Sequence, residues 1–125
     1  MKKRIFYHDT DCGGVVYYAN YLKYMEESRT EFLENKGFFI KEHAQEGLLF
    51  VVAHQEVDYK APAHYGDILE VASKLTRMSN VKLEFEHEVK NQEEKIICSG
   101  KAVLVCVDKD IKPRSIPDEL RKRLE

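Results

Sequence analysis

Between Val81 and Val89 the chain alternates apolar and charged residues: Val81, Leu83, Phe85 and Val89 against Lys82, Glu84, Glu86 and Glu88, with His87 as the one polar residue in the apolar series. A period of two sends the two sets to opposite faces of a strand, so this segment belongs in a sheet with one wet face. The β-rich pattern continues on both sides, predicting strands near residues 48–60, 67–78, 81–91 and 95–107. Their short connections make neighbours antiparallel. Ala102–Val107 is apolar at every position, as in a central strand or one whose second face meets another subunit.

Only one segment upstream has a different period. From about Val15 to Lys36, Tyr18, Tyr21, Leu22, Met25, Phe32 and Leu33 recur at three- and four-residue steps, which predicts one long helix ended by Gly37. Residues 2–8 read as a short strand, Asp9–Gly14 as a loop of turn-forming residues, 38–46 as one or two further helical turns, and 118–125 as a charged tail with room for a last one. A single apolar helical stripe and an antiparallel sheet with one apolar face have a simple packing solution, an α+β fold in which the sheet wraps around one long central helix. No repeat, linker or composition shift divides residues 1–125, so one domain is expected. The open sheet edges need cover, and pairing with a second copy would supply it, so a homodimer or homotetramer is expected.

Charge and cysteine content exclude several functions. Twenty basic and twenty-two acidic residues give a formal charge of -2, without the positive field a nucleic-acid binder uses. Cys12, Cys98 and Cys106 are odd in number and show no CxxC spacing, which argues against a disulfide framework or a zinc site and for a reducing compartment. The basic Met1–Arg4 start meets His8 and Asp9 before any signal-peptide apolar region develops, and no run reaches the roughly 18 residues of a transmembrane helix. The expected location is the cytoplasm.

The chemistry concentrates in Arg4–Tyr21, where Asp11 stands just before Gly13-Gly14 and a helix start. Amides at a helix start are unsatisfied and carry partial positive charge, so they can receive a developing oxyanion, and glycines allow a substrate to approach closely. A carboxylate beside the same carbonyl can attack it or deprotonate the attacking water. An Asp before two glycines is also a common turn or cap residue. His8, Asp9 and Asp11 make a poor metal set, because alternate strand residues point apart and no second ligand group follows. Cys12 lacks a positioned base, and His43, His54, His64 and His87 are scattered.

The segment Arg4–Tyr21 resembles the active-site signature of the 4-hydroxybenzoyl-CoA thioesterase family, most closely its YbgC-type acyl-CoA thioesterases. Tyr24–Leu33 is similar to that family's helix, and Val57–Asp67 to its strand-to-strand turn. The resemblance implies the hot-dog fold and hydrolysis of acyl-CoA, or of an acyl group on the phosphopantetheine arm of an acyl carrier protein, with no metal or redox cofactor. By position it implies Asp11 as the catalytic carboxylate, Tyr7 as an active-site tyrosine, and a helix-start amide near Tyr18. One position departs: many YbgC-type members carry His where this chain has Tyr18, and Phe occurs there in the wider family, which places weight on the backbone amide. Gly13, Gly14 and Val15 would border the substrate. Coenzyme A brings phosphates, for which Lys60, Arg77, Ser79 and Lys82 are candidates. A hot-dog hydratase would need a catalytic His at the helix start, where Tyr18 stands, and a non-catalytic acyl-binding module would show no turnover.

Overall fold

The computed structural model describes residues 1–125. Strand β1 (Lys2–Arg4) is followed by a 3-10 turn over Tyr7–Asp9, helix α1 (Asn20–Asn35), helix α2 (Ile40–Gln45), strands β2 (Leu49–Tyr59), β3 (Ile68–Met78), β4 (Lys82–Lys90) and β5 (Ile96–Val107), and helix α3 (Asp118–Leu124). The strands form one antiparallel sheet in the order β1-β3-β4-β5-β2. The four long strands stand where the sequence periods put them, the single long helix lies within its expected segment, and the expected α+β, hot-dog arrangement is the one observed.

Alternation decides which side of the sheet holds the core. Leu83, Phe85, His87 and Val89 of β4 and Cys98, Ala102, Leu104 and Cys106 of β5 are buried, while Glu86 and Lys101 face out as a cross-strand pair. Ala102–Val107 lies between β4 and β2, so its doubly apolar pattern marks a central strand. The register slips between Val52 and His54 in β2 and between Leu75 and Arg77 in β3, and such bulges increase local bend and twist in a sheet that must follow a helix. Met25 of α1 reaches the sheet where β5 has no side chain. A Cβ at Gly100 would stand 2.8 Å from Met25 Sδ and 2.9 Å from the Glu56 carbonyl oxygen. Around the N-terminal half of α1 the core contains Tyr21, Tyr24 and Met25 with Leu69, Val71 and Val89, and around its C-terminal half Leu33 with Phe38, Phe85, Leu104 and Leu120.

Three expectations need correction. β1 ends at Arg4, and Tyr7–Asp9 coil into a 3-10 turn where a strand to residue 8 was expected. α1 starts at Asn20 and not near Val15, because Val15 and Val16 make β-bridges to His64 and Thr10. Tyr18 and Leu22 are exposed, so the buried stripe runs instead through Tyr21, Tyr24, Met25, Ser28, Arg29 and Leu33. No helix is long and apolar enough to cross a membrane.

Candidate active site

The loop between the 3-10 turn and α1 is a miniature hairpin. Thr10 bridges Val16, the Asp11 amide donates to the Val15 carbonyl at 2.9 Å, and the Gly14 amide returns to the Asp11 carbonyl at 3.1 Å. Gly14 takes a φ of 81°, in the left-handed region that a residue with a Cβ adopts only under strain. Asp11 is exposed, and its Oδ1 accepts the Gly13 amide at 2.8 Å. It therefore serves the turn through one oxygen, and Oδ2 stays free of the chain.

Tyr18 lies two residues before the first helical position. Neighbouring amides are committed, Tyr17 to the Asp9 carbonyl at 3.0 Å and Asn20 to the Tyr17 carbonyl at 2.9 Å, whereas the Tyr18 and Ala19 amides find no acceptor in the chain. These are the open donors that a helix start leaves. The Tyr18 ring is 62% exposed and meets Tyr59 edge-on at 6.2 Å, and the Tyr59 hydroxyl donates to the Tyr18 carbonyl at 3.1 Å. Tyr7 is 79% exposed and stands edge-to-face with Tyr65 at 6.1 Å. Together with Phe6, His8, Thr10, Cys12 and Asp11 these two rings line an open depression.

The substrate-side candidates divide into two groups. Gly13, Gly14 and Val15 belong to the Asp11 hairpin, and Lys60 follows Tyr59 at the same end of the sheet, its amide bonded to the Ile97 carbonyl at 2.9 Å. Arg77, Ser79 and Lys82 sit at the β3–β4 turn, which β3 carries about 35 Å from the β1 end of the sheet. There Arg77 pairs with Glu84 at 3.5 Å, Ser79 Oγ accepts the Lys82 amide at 3.1 Å, and the Ser79 carbonyl accepts Arg121 at 3.0 Å. Within one chain they do not join Asp11.

Two features escaped the sequence. Asp9 is buried, and the hydroxyl of Tyr24 donates to it at 2.7 Å. Burial alone would raise the Asp9 pKa, but the Tyr24 and Phe6 hydrogen bonds and the His8 and Lys3 charges outweigh it and hold the carboxyl below its ordinary value. Tyr59 and Tyr65 frame the site; both lie in the Val57–Asp67 segment that resembles the family's turn, but neither was singled out as a site residue. A tyrosine opposite another becomes visible only once the fold brings β2 and the 64–67 turn to the hairpin.

A five-stranded antiparallel sheet wrapped on one helix, with a carboxylate hairpin leading into the helix start, defines a hot-dog protein. The chain belongs to the thioesterase-like superfamily, whose family model matches residues 7–124. It is 37% identical over 118 residues to the acyl-CoA thioester hydrolase YbgC of Escherichia coli, covering 94% of this chain and 88% of that one. A crystal structure from Aquifex aeolicus superposes with a TM-score of 0.93 at 30% identity, over 100% of this chain and 98% of the other. The 1,4-dihydroxy-2-naphthoyl-CoA thioesterase of Synechocystis shares the fold at a TM-score of 0.92, with 22% identity over 99% and 93% of the two chains.

Proposed function

We propose that this chain hydrolyses the thioester of acyl-CoA to a free acid and coenzyme A, with Asp11 supplying the reacting carboxylate. The observation that carries this reading is an exposed carboxylate, one oxygen held by Gly13 and the other free, on a hairpin that leads directly into a helix start with uncommitted amides at Tyr18 and Ala19. A thioester carbonyl entering between them would find a nucleophile or base on one side and oxyanion donors on the other. Asp11 Oδ2 either attacks the carbonyl carbon, giving a mixed anhydride that water then cleaves, or takes a proton from the water that attacks directly. In both routes the C–S bond breaks and the thiolate leaves to take up a proton as coenzyme A. Neither route calls for a metal or redox cofactor. The Tyr7 hydroxyl is exposed at the rim and would orient the incoming carbonyl, and Tyr18 would act through its amide while its ring shapes the acyl pocket.

The phosphates of coenzyme A would fall to Lys60 at this end of the sheet, and to Arg77, Ser79 and Lys82 only for a substrate held by another subunit. An acyl carrier protein presents the same phosphopantetheine thioester and is the alternative acyl donor. The test is a hydrolysis screen over acyl-CoA chain lengths with acyl carrier protein thioesters alongside, followed by hydroxylamine trapping at Asp11. Turnover of acyl-CoA that Asp11→Asn abolishes supports the reading, while binding without turnover would make the chain an acyl-binding module. A trapped Asp11 hydroxamate selects the anhydride route.

A further inference from the structure

Asp9 is the one carboxylate that the fold buries, at 5% exposure. A buried carboxylate is costly unless its oxygens find donors. Here Oδ1 accepts the Tyr24 hydroxyl at 2.7 Å and Oδ2 the Phe6 amide at 2.9 Å. The carbonyl oxygen of the same residue accepts the Tyr17 amide at 3.0 Å and the Asn20 side-chain amide at 2.9 Å. Four anchors thus converge on one residue: the start of the 3-10 turn, the second turn of α1, the first residue of α1, and the residue immediately before Tyr18. Asp11 is two residues further on, and its hairpin is tied elsewhere by the Thr10 amide and hydroxyl to the Tyr7 carbonyl at 3.0 and 2.7 Å, by the Val16 amide to the Ala63 carbonyl at 2.8 Å and by the bridge from Val15 to His64.

We infer that Asp9 is a positioning residue for the reaction, its carboxylate and carbonyl together setting the separation between the Asp11 carboxylate and the Tyr18 amide. The inference rests on the reading of those two groups as opposite sides of the hydrolytic site. Asp9 is buried and does not meet substrate; it acts through Tyr24 and Asn20 on the helix side and through Phe6 on the loop side. A carboxylate suits this place because both of its oxygens accept, and both neighbours donate. An asparagine keeps the shape but carries an N–H₂ in place of one oxygen; the Phe6 amide can only donate and takes the remaining oxygen, so the N–H₂ turns to Tyr24, whose hydroxyl must accept where it had donated. The backbone of residue 9 then shifts, and with it the reach of Asp11. A displacement of about 1 Å at a reacting group can cost about a hundredfold in rate.

The test uses the whole chain and the best acyl-CoA found by the screen. Tyr24→Phe, Asp9→Asn, the double variant and Asp11→Asn are compared with wild type in kcat, KM and thermal melting. Expected are kcat losses of about 10- to 100-fold for Tyr24→Phe and Asp9→Asn with KM changed by less than about threefold. The double variant should be no slower than the poorer single, because both changes act on the one contact between Asp9 and Tyr24. A purely structural role would lower melting temperature while leaving kcat of the folded fraction intact, and that result, or additive losses, overturns the inference. If Asp9→Asn does not fold, Tyr24→Phe decides alone, and a kcat within about twofold of wild type sinks the idea. An inactive Asp11→Asn beside fully active Asp9→Asn and Tyr24→Phe removes the positioning role only, whereas an active Asp11→Asn removes the reading of the site and the inference with it.

Discussion

Two aspartates two positions apart meet opposite surroundings here, and residue type does not distinguish them. Asp11 can act because the Gly13 amide satisfies one oxygen and leaves the other exposed, whereas both oxygens of Asp9 are consumed in the interior. Asp11→Asn removes the charge, keeps an oxygen for the Gly13 amide, and should lower turnover by at least about a hundredfold while the melting temperature is preserved, as measured by steady-state hydrolysis beside a thermal scan. Cys12 stands exposed next to Asp11, with no base positioned against it. Cys12→Ala should keep most of the wild-type rate, and an inactive but folded variant would reopen a thiol route. The Asp11 turn was legible in the sequence because Gly-Gly after a carboxylate is a local signal, but its pairing with Val15 and Val16 into a hairpin was not. The burial of Asp9 was not, because it depends on Tyr24, a full helix turn inside α1.

At the scale of elements, the four long strands were legible to within a residue or so, while the end of β1 and the start of the helix were not. Strand alternation is a property of each strand alone, so β4 could be read from Val81 to Val89 without its neighbours. Val15 and Val16 fit a helical count as well as an extended one, and only their bridges to His64 and Thr10, remote in sequence or across a hairpin, decide for extended backbone. The meeting of α1 with the sheet yields two predictions. Gly100→Val puts a side chain where the Glu56 carbonyl and Met25 already stand, and should destabilise by about 1–3 kcal/mol in urea unfolding, with α1 pushed outward. His87, 3% exposed, lies under α1 with Nδ1 on Ser73 Oγ at 2.9 Å, and Ser73 bonds Ser28, which donates to the Val71 carbonyl at 3.0 Å. With Ser28 donating to Val71 and Ser73 to Ser28, the His87 Nδ1 must carry the proton, which leaves Nε2 bare and without a partner. Burial first, and the Arg29 guanidinium second, bring its pKa from 6.5 down to about 4. The unfolded chain therefore takes a proton near pH 6.5 that the folded chain refuses until about pH 4. The stability contributed by the neutral ring is whole above pH 6.5 and drains away as pH falls toward 4, by about 3 kcal/mol in total. Unfolding free energies of His87→Gln across that window, at fixed protein concentration, should show a shallower slope than wild type; an unchanged slope would mean that His87 does not titrate there.

For the whole molecule, the decisive feature is the free edge of β2. β1 closes one side of the sheet with three residues, but β2 ends the other with eleven, Leu49–Tyr59, bonded to β5 alone. A long edge of unpaired amides and carbonyls is a template for another strand, and proteins that remain single usually guard it with charge, proline or a covering loop. The first half of β2 has none of these: Leu49, Phe50, Val51, Val52 and Ala53 are all uncharged and apolar, and Val52 is exposed. Exposed Tyr18, Leu22 and Tyr59 add apolar surface near the helix start, where Tyr59 already reaches Tyr18 of its own chain. Two copies related by a two-fold axis would cover the edge with itself and close both candidate sites at once, since each hairpin would then face a second wall. Arg77, Ser79 and Lys82, which β3 carries to the far end of the sheet from Asp11, would reach its substrate only from such a partner. The prediction is a homodimer or a dimer of dimers in light scattering at assay concentration. Val52→Glu, which sets like charges on the paired edges, should shift the chain toward monomer and reduce turnover together, because a lone subunit keeps Asp11 and the Tyr18 amide but loses the second wall of the acyl pocket. If instead the variant is monomeric and hydrolyses acyl-CoA at the wild-type rate, the site is complete within one chain, and the β2 edge has no part in catalysis.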